Sequence, residues 1–271
     1  VAGGVMGAVQ EQKLEDPGSN IRACRESLYG EVKILDRRTP RGTVRWMLLD
    51  GTAQTGMWLH SKRLVSDYTN LIEDFLWLHP PEGRKALLVG LGGGALLRPL
   101  LELGYEVDVV ELDPLVADWA VRYFGCDPSQ YRLIQRDGRA YIRSAPGRYD
   151  AIVMDVFTGG SQPFHLFSIE AWGEVARILE PGGVVALNTI GFAAGPDSIM
   201  SASLFRTASR VFPNGRVYLS RPGRDPRELG NVLMFFSNAE FLEPPVRDEK
   251  IAAVDDHFRD LRFEFPPQAG R

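Results

Sequence analysis

The first chemical signal is Gly90-Leu91-Gly92-Gly93-Gly94-Ala95, which follows an apolar run and opens a helical pattern. It fits Gly-x-Gly-x-x-Ala. Glycines without a Cβ let backbone N–H groups at a helix N-terminus approach a ligand closely. Alone the pattern is weak. Glu111-Leu112-Asp113 closes the next apolar run, about 20 residues on, the offset at which a carboxylate holds ribose hydroxyls. Together these residues predict a nucleoside site built on Gly90, Gly92 and Glu111. The alternative is that the glycines only permit close helix–sheet packing and Glu111 is solvated.

Two further acids end later strands. Asp137, with Gly138 beside it, is suited to accept a hydrogen bond from an adenine amino group. A turn or N-cap role is the alternative. Asp155 closes the apolar run Ala151–Met154, and a carboxylate at the mouth of a buried strand is costly without a partner; an N-cap or surface aspartate is the alternative. All these strand ends fall on the carboxyl edge of one sheet, where open α/β sheets bind ligands. A nicotinamide dehydrogenase would leave Asp137 and Asp155 without a purpose. His165 is expected at the rim, with a second-base role as the alternative. The four histidines and two cysteines, Cys24 and Cys126, show no metal-ligand spacing and no disulfide framework. No metal is expected, and a reducing, cytoplasmic compartment is the simple reading.

The elements that must position these residues follow from periodicity. Tyr29–Leu35, Thr43–Leu49 and Thr52–Leu59 are short strands with turn residues between them, an antiparallel meander. Asp67–His79 has helical apolar spacing, stopped by Pro80-Pro81. Then strands and helices alternate. The strands are Lys85–Val89, Glu106–Glu111, Tyr131–Gln135, Tyr149–Asp155 and Gly183–Asn188. The helices between them are Ala95–Gly104, Pro114–Phe124, Arg139–Ser144 and Ser168–Leu179. That rhythm predicts a Rossmann-like α/β fold with a parallel sheet covered on both faces. Helix Ser198–Phe212, strands Val217–Ser220 and Val232–Phe236, and an amphipathic helix Val246–Leu261 complete the chain. The domain reading is an N-terminal extension over 1–25, a small β domain over 26–66 and a catalytic domain over 67–271.

Composition sets outer bounds. The 271 residues are 44% hydrophobic and 24% charged, which excludes intrinsic disorder. A net charge of −4 offers no basic field for nucleic acid. No apolar run reaches the roughly 18 residues of a membrane span. The apolar opening Val1–Val9 is expected to be a loosely ordered terminus, the trimmed end of a longer segment being the other reading.

Over residues 26 to 190 the chain resembles the polyamine aminopropyltransferases, the spermidine synthase group. The resemblance rests on the order of several pieces. The early ones are Glu26-Ser27 with Tyr29-Gly30, Leu49-Asp50-Gly51-Thr52-Ala53-Gln54, and Tyr68. Then come Gly90 to Arg98, Val110-Glu111-Leu112-Asp113, Asp137-Gly138, Tyr149-Asp150 to Asp155, and Leu166-Phe167 leading to Glu170. It implies a Rossmann-like transferase sheet with a small N-terminal β domain. It also implies roles: Glu111 holds a ribose diol, Asp137 reads adenine, and Leu112 and Leu166 wall the base. Gln54 approaches the aliphatic arm of the donor, Tyr68 lines the substrate tunnel, and Asp155 binds the attacking amine and accepts its proton. The implied donor is decarboxylated S-adenosylmethionine and the partner a small-molecule amine, with neither nucleic acid nor membrane involved. A homodimer is compatible with the resemblance, since the family associates, while the sequence leaves the oligomeric state open.

The chain departs from that family at three places. Gly93 stands where the family glycine loop carries Asp. Asp155-Val156-Phe157-Thr158-Gly159 replaces Asp-Ser-Ser-Asp-Pro, so the second acid becomes Thr158. Tyr68-Thr69-Asn70 replaces Tyr-His-Glu. Each charge-assisted hydrogen bond lost with such an acid is worth about 1.5–3 kcal/mol. Without the acid at 93, intact S-adenosylmethionine fits as well. The first expectation is therefore aminopropyl transfer to an amine with Asp155 as base. The alternatives are an S-adenosylmethionine-dependent methyltransferase on the same fold, or a non-catalytic domain that binds an adenosine ligand.

Overall fold

The computed structural model describes residues 18–157, 163–221, 223–241 and 262–265. The apolar opening Val1–Val9 and the helix expected over Val246–Leu261 lie outside the described residues.

The N-terminal sheet has four strands in sequential order: β1 (Ser19–Ser27), β2 (Gly30–Thr39), β3 (Gly42–Leu49) and β4 (Thr52–Trp58). The expected meander had three. The missed strand, β1, is exposed along most of its length, so it has no apolar–polar alternation to betray it. Backbone pairing with β2 makes it a strand. Between β3 and β4, Asp50 and Gly51 have φ of 48° and 78°, the positive pair that closes a two-residue hairpin.

The second sheet has eight strands in the order β12-β10-β11-β9-β8-β5-β6-β7. Its centre is β5 (Lys85–Val89), β6 (Glu106–Glu111), β7 (Tyr131–Gln135), β8 (Tyr149–Met154) and β9 (Leu179–Gly191), all parallel. The five strands expected to be parallel are so, and the two strands expected beyond them, without a direction, join the sheet antiparallel. Strands β10 (Asn214–Leu219) and β11 (Gly230–Ser237) form an antiparallel hairpin, and β11 also runs antiparallel to β9. A short connection without a crossover helix cannot make parallel neighbours. A two-residue strand β12 (Arg262–Phe263) pairs with β10.

Helices α1 (Tyr68–Leu78), α2 (Leu97–Glu102), α3 (Pro114–Trp119), α4 (Gly138–Ser144), α5 (Ile169–Arg177) and α6 (Ile199–Ala208) cover the sheet. One apolar core joins α1, with Leu71 and Phe75, to Leu88 and Val109. The other joins α5, with Trp172 and Val175, to Ile152 and Val185. A third cluster sets Ile34 and Met47 of the small sheet against Val116 and Trp119 of α3. That packing holds β4 over the glycine loop. Among the described residues, no helix is long and apolar enough to cross a membrane.

Candidate active site

The carboxyl ends of β5, β6, β7, β8 and β9 open into one cavity of about 640 Å³, within the range of about 300–1,000 Å³ usual for small-ligand sites. All ten residues singled out from the sequence line it. Gln54 and Tyr68 come from the small sheet and α1; Gly90 and Gly92 from the loop after β5. Glu111 ends β6 and Leu112 follows it, Asp137 and Gly138 follow β7, and Asp155 and Leu166 follow β8.

The glycine loop is shaped by backbone that side chains rarely adopt. Gly90, Gly92 and Gly94 all have positive φ. A Cβ on Gly90 would overlap the carbonyl oxygen of Asp155, so this glycine brings the β5 and β8 tips together. Gly90→Ala combines that overlap with a φ of 89°. Overpacking of this kind costs about 1–3 kcal/mol. The urea midpoint should fall at unchanged slope, and an unaltered midpoint would contradict the close approach.

Glu111 is buried, and each of its oxygens accepts one backbone N–H. Leu91 donates to Oε2 at 2.8 Å and Asp113 to Oε1 at 2.9 Å. Burial raises its pKa, and the hydrogen bonds from the Asp113 and Leu91 backbone oppose that rise. Asp113 caps α3 through Leu115 N–H at 2.8 Å. Its other oxygen, Oδ2, is buried with no protein partner among the described residues.

Asp137 does cap a helix: its Oδ1 accepts from Ala140 N–H at 2.8 Å. The two readings of this residue are not exclusive, because Oδ2 is left toward the cavity rim, 3.5 Å from His165 Nε2. His165 stands at that rim, with half its side chain exposed. Gly138 carries no Cβ where one would press on Val89 at 2.7 Å.

Asp155 is held on both oxygens by neutral donors. Tyr68 Oη–H donates to Oδ2 at 2.9 Å and Asn188 Nδ2 to Oδ1 at 2.8 Å. It forms no ion pair among the described residues. Burial raises its pKa, and the hydrogen bonds from Asn188 and Tyr68 oppose this. The Tyr68 hydroxyl is pushed well up by burial and by the Asp155 charge, so it stays a neutral donor.

Sequence reasoning missed Asn188 and Asn231, which line the same cavity. Asn188 had a signal, a polar residue ending the apolar run Val184–Leu187. Asn231 had none. The positions of the family acids look different in three dimensions. A Cβ on Gly93 would face Thr55 and Phe124 at 2.8 and 2.9 Å, and Gly93 N–H donates to Thr55 Oγ1 at 2.9 Å. Thr55 and Phe124 therefore fill the space that a side chain at Gly93 would need. Neither Thr69 nor Asn70 is among the cavity residues. Thr158 and Gly159 lie outside the described residues.

The eight-stranded sheet, with a four-stranded sheet laid over its glycine loop, is a Rossmann-like α/β transferase fold. The spermine/spermidine synthase domain family matches residues 66–219, and the chain belongs to that family. It is 37% identical to the N-terminal histidine N-methyltransferase of Emericella nidulans, over 92% of this chain and 47% of that protein. It is 34% identical to the polyamine aminopropyltransferase of Vibrio vulnificus, over 79% of this chain and 70% of that one. The chain thus spans about half the length of the first relative. In fold it is similar to a probable spermidine synthase from Corynebacterium glutamicum, with a TM-score of 0.72 at 20% identity, covering 88% of this chain and 87% of the other.

Proposed function

We propose that this chain transfers a methyl group from S-adenosylmethionine to an amine, with Asp155 binding the amine and taking its proton. The observation that carries the reading is the Asp155 carboxylate. It sits at a strand tip beside the glycine loop, held by two neutral donors and with no ion-paired cation among the described residues. An ammonium group supplies the missing countercharge. Once bound, it must lose a proton before nitrogen can attack, and burial makes Asp155 a stronger base than a solvated aspartate. The bound donor supplies a carbon made electrophilic by its sulfonium.

Other residues support a nucleoside-bearing donor. Glu111 uses one lone pair on each oxygen for backbone and keeps others for ribose hydroxyls. The orphaned Oδ2 of Asp113 calls for a donor from the ligand side. Leu112 and Leu166 offer apolar walls for a base, and Asp137 Oδ2 an acceptor at its edge.

Two features favour methyl transfer. The glycine loop carries no acid at Gly93 to repel a donor carboxylate, and Thr55 and Phe124 fill the space beside it. The Emericella nidulans relative, similar over 92% of this chain, is named for N-methylation of an N-terminal histidine. A peptide amine is accordingly the acceptor class we favour, and exposed Phe164 and Tyr29 at the rim offer apolar contact to it. The second reading is aminopropyl transfer from decarboxylated S-adenosylmethionine, supported by the family match and the Vibrio vulnificus relative. Asp155 has the same role in both.

Incubation with each donor, against putrescine and a peptide beginning with histidine, separates the readings by mass spectrometry. The expected product is a peptide heavier by one methyl. Putrescine gaining an aminopropyl group would overturn the methyl assignment, and no product from any pair would remove both.

A further inference from the structure

The hydrogen bonds on the Asp155 carboxylate continue, through a pair of amides, beyond its direct contacts. Asn188, in β9, is 1% exposed and donates Nδ2 to Asp155 Oδ1 at 2.8 Å. A primary amide has two nearly isosteric ends, one donating and one accepting. Only one orientation serves a carboxylate; the flipped amide sets oxygen against oxygen. The choice is made one strand further out. Asn231, in β11, donates Nδ2 to Asn188 Oδ1 at 2.9 Å. That leaves Nδ2 of Asn188 to face Asp155.

Asn231 is itself held in place. It pairs with Ile190 in the β9–β11 ladder, and its carbonyl accepts from Arg224 Nη1 at 2.8 Å. Arg224 is buried, and its Nη2 donates to the carbonyls of Gly191, at 3.0 Å, and Glu228. One guanidinium thus pins the β10–β11 connection to the two strands that carry the amides.

We propose that Asn231 is a positioning residue for Asp155: its amide locks Asn188 in the one orientation that donates to the carboxylate. The inference rests on the reading of Asp155 as base and extends it to the groups that aim it. The groups facing Asp155 are Tyr68 from α1 and Asn188 from β9. The charged or ionisable groups that share its cavity are Glu111, Asp113, Asp137, Asp197, Arg136 and His165, with Tyr29 at the rim. No member of that set forms an ion pair with Asp155 among the described residues.

Carbon-13 carboxyl titration of aspartate-labelled protein follows Asp155 directly, its signal assigned by its loss in Asp155→Asn. In Asn231→Ala the midpoint should rise by about one to two pH units, because a hydrogen bond to a charged group is lost or reversed. Asn188→Ala should raise it similarly, and the double variant no further, since both act through one contact. Binding of 5′-methylthioadenosine checks that each variant is folded. Where Asn231→Ala fails that check, the nearly isosteric Asn231→Leu decides. It can neither donate nor accept and brings no charge, so Asn188 loses the contact that orients it, and the midpoint should again rise. An unmoved midpoint in the folded variant overturns the amide lock, even where Asp155→Asn abolishes turnover and the base assignment stands. If Asp155→Asn keeps full turnover, the base assignment falls, while a raised midpoint still supports the lock.

Discussion

Asp155→Asn is expected to lower turnover by about a hundred- to ten-thousandfold, the usual contribution of a positioned general base, while nucleoside binding is unchanged. The amide nearly matches the carboxylate in shape. The Tyr68 hydroxyl can rotate to accept from it, so the packing of α1 on β8 survives. What is lost is the group proposed to take a proton from the amine. Calorimetry with 5′-methylthioadenosine and single-turnover rates separate the two effects, and an unchanged rate would end the assignment. The same substitution has a stability signature. Burial raises the Asp155 pKa, so the folded state holds that proton more tightly than the unfolded chain. The stability it contributes is full below the unfolded carboxyl range and is lost as pH rises through the folded pKa. At neutral pH the variant should therefore melt above the native protein. That advantage should shrink on acidification. A variant that melts lower at neutral pH would mean that a further group pairs with the charge.

Glu111→Ala carries the second large effect. Its carboxylate binds two backbone N–H groups, of Leu91 in the glycine loop and of Asp113 at the start of α3. Truncation orphans both, at about 1–3 kcal/mol for each buried group. It also removes the acceptor proposed for two ribose hydroxyls. At about 1.5–3 kcal/mol for each hydrogen bond to a charged group, affinity for 5′-methylthioadenosine should fall by about a hundred- to ten-thousandfold. Glu111→Gln should lose less, because one of its oxygens is kept. Calorimetry measures both, with thermal melts recording the cost of the orphaned donors. Native affinity in Glu111→Ala would place the nucleoside elsewhere.

Much of the site was legible because its parts are local. The glycine loop, the acids after β6, β7 and β8, and the alternation of strand and helix are each written within a few residues. The family resemblance followed from their order. Other features have no local signature. Strand β1 is exposed along most of its length, so nothing in its pattern distinguishes it from a loop until β2 pairs with it. The antiparallel place of β11 depends on which strand edge is free when the hairpin docks.

By itself, then, the sequence determined the glycine loop, the strand-end acids and the class of sheet that gathers them, because apolar periodicity and turn chemistry are short-range. The tertiary structure alone decided how those acids are held. Asn231 meets Asn188 across 43 residues of chain, and Thr55 and Phe124 close over Gly93 from separate elements. An amide such as Asn231 and filled space such as that beside Gly93 leave no mark of charge or period in a chain; they act only where packing brings them within hydrogen-bond or van der Waals reach.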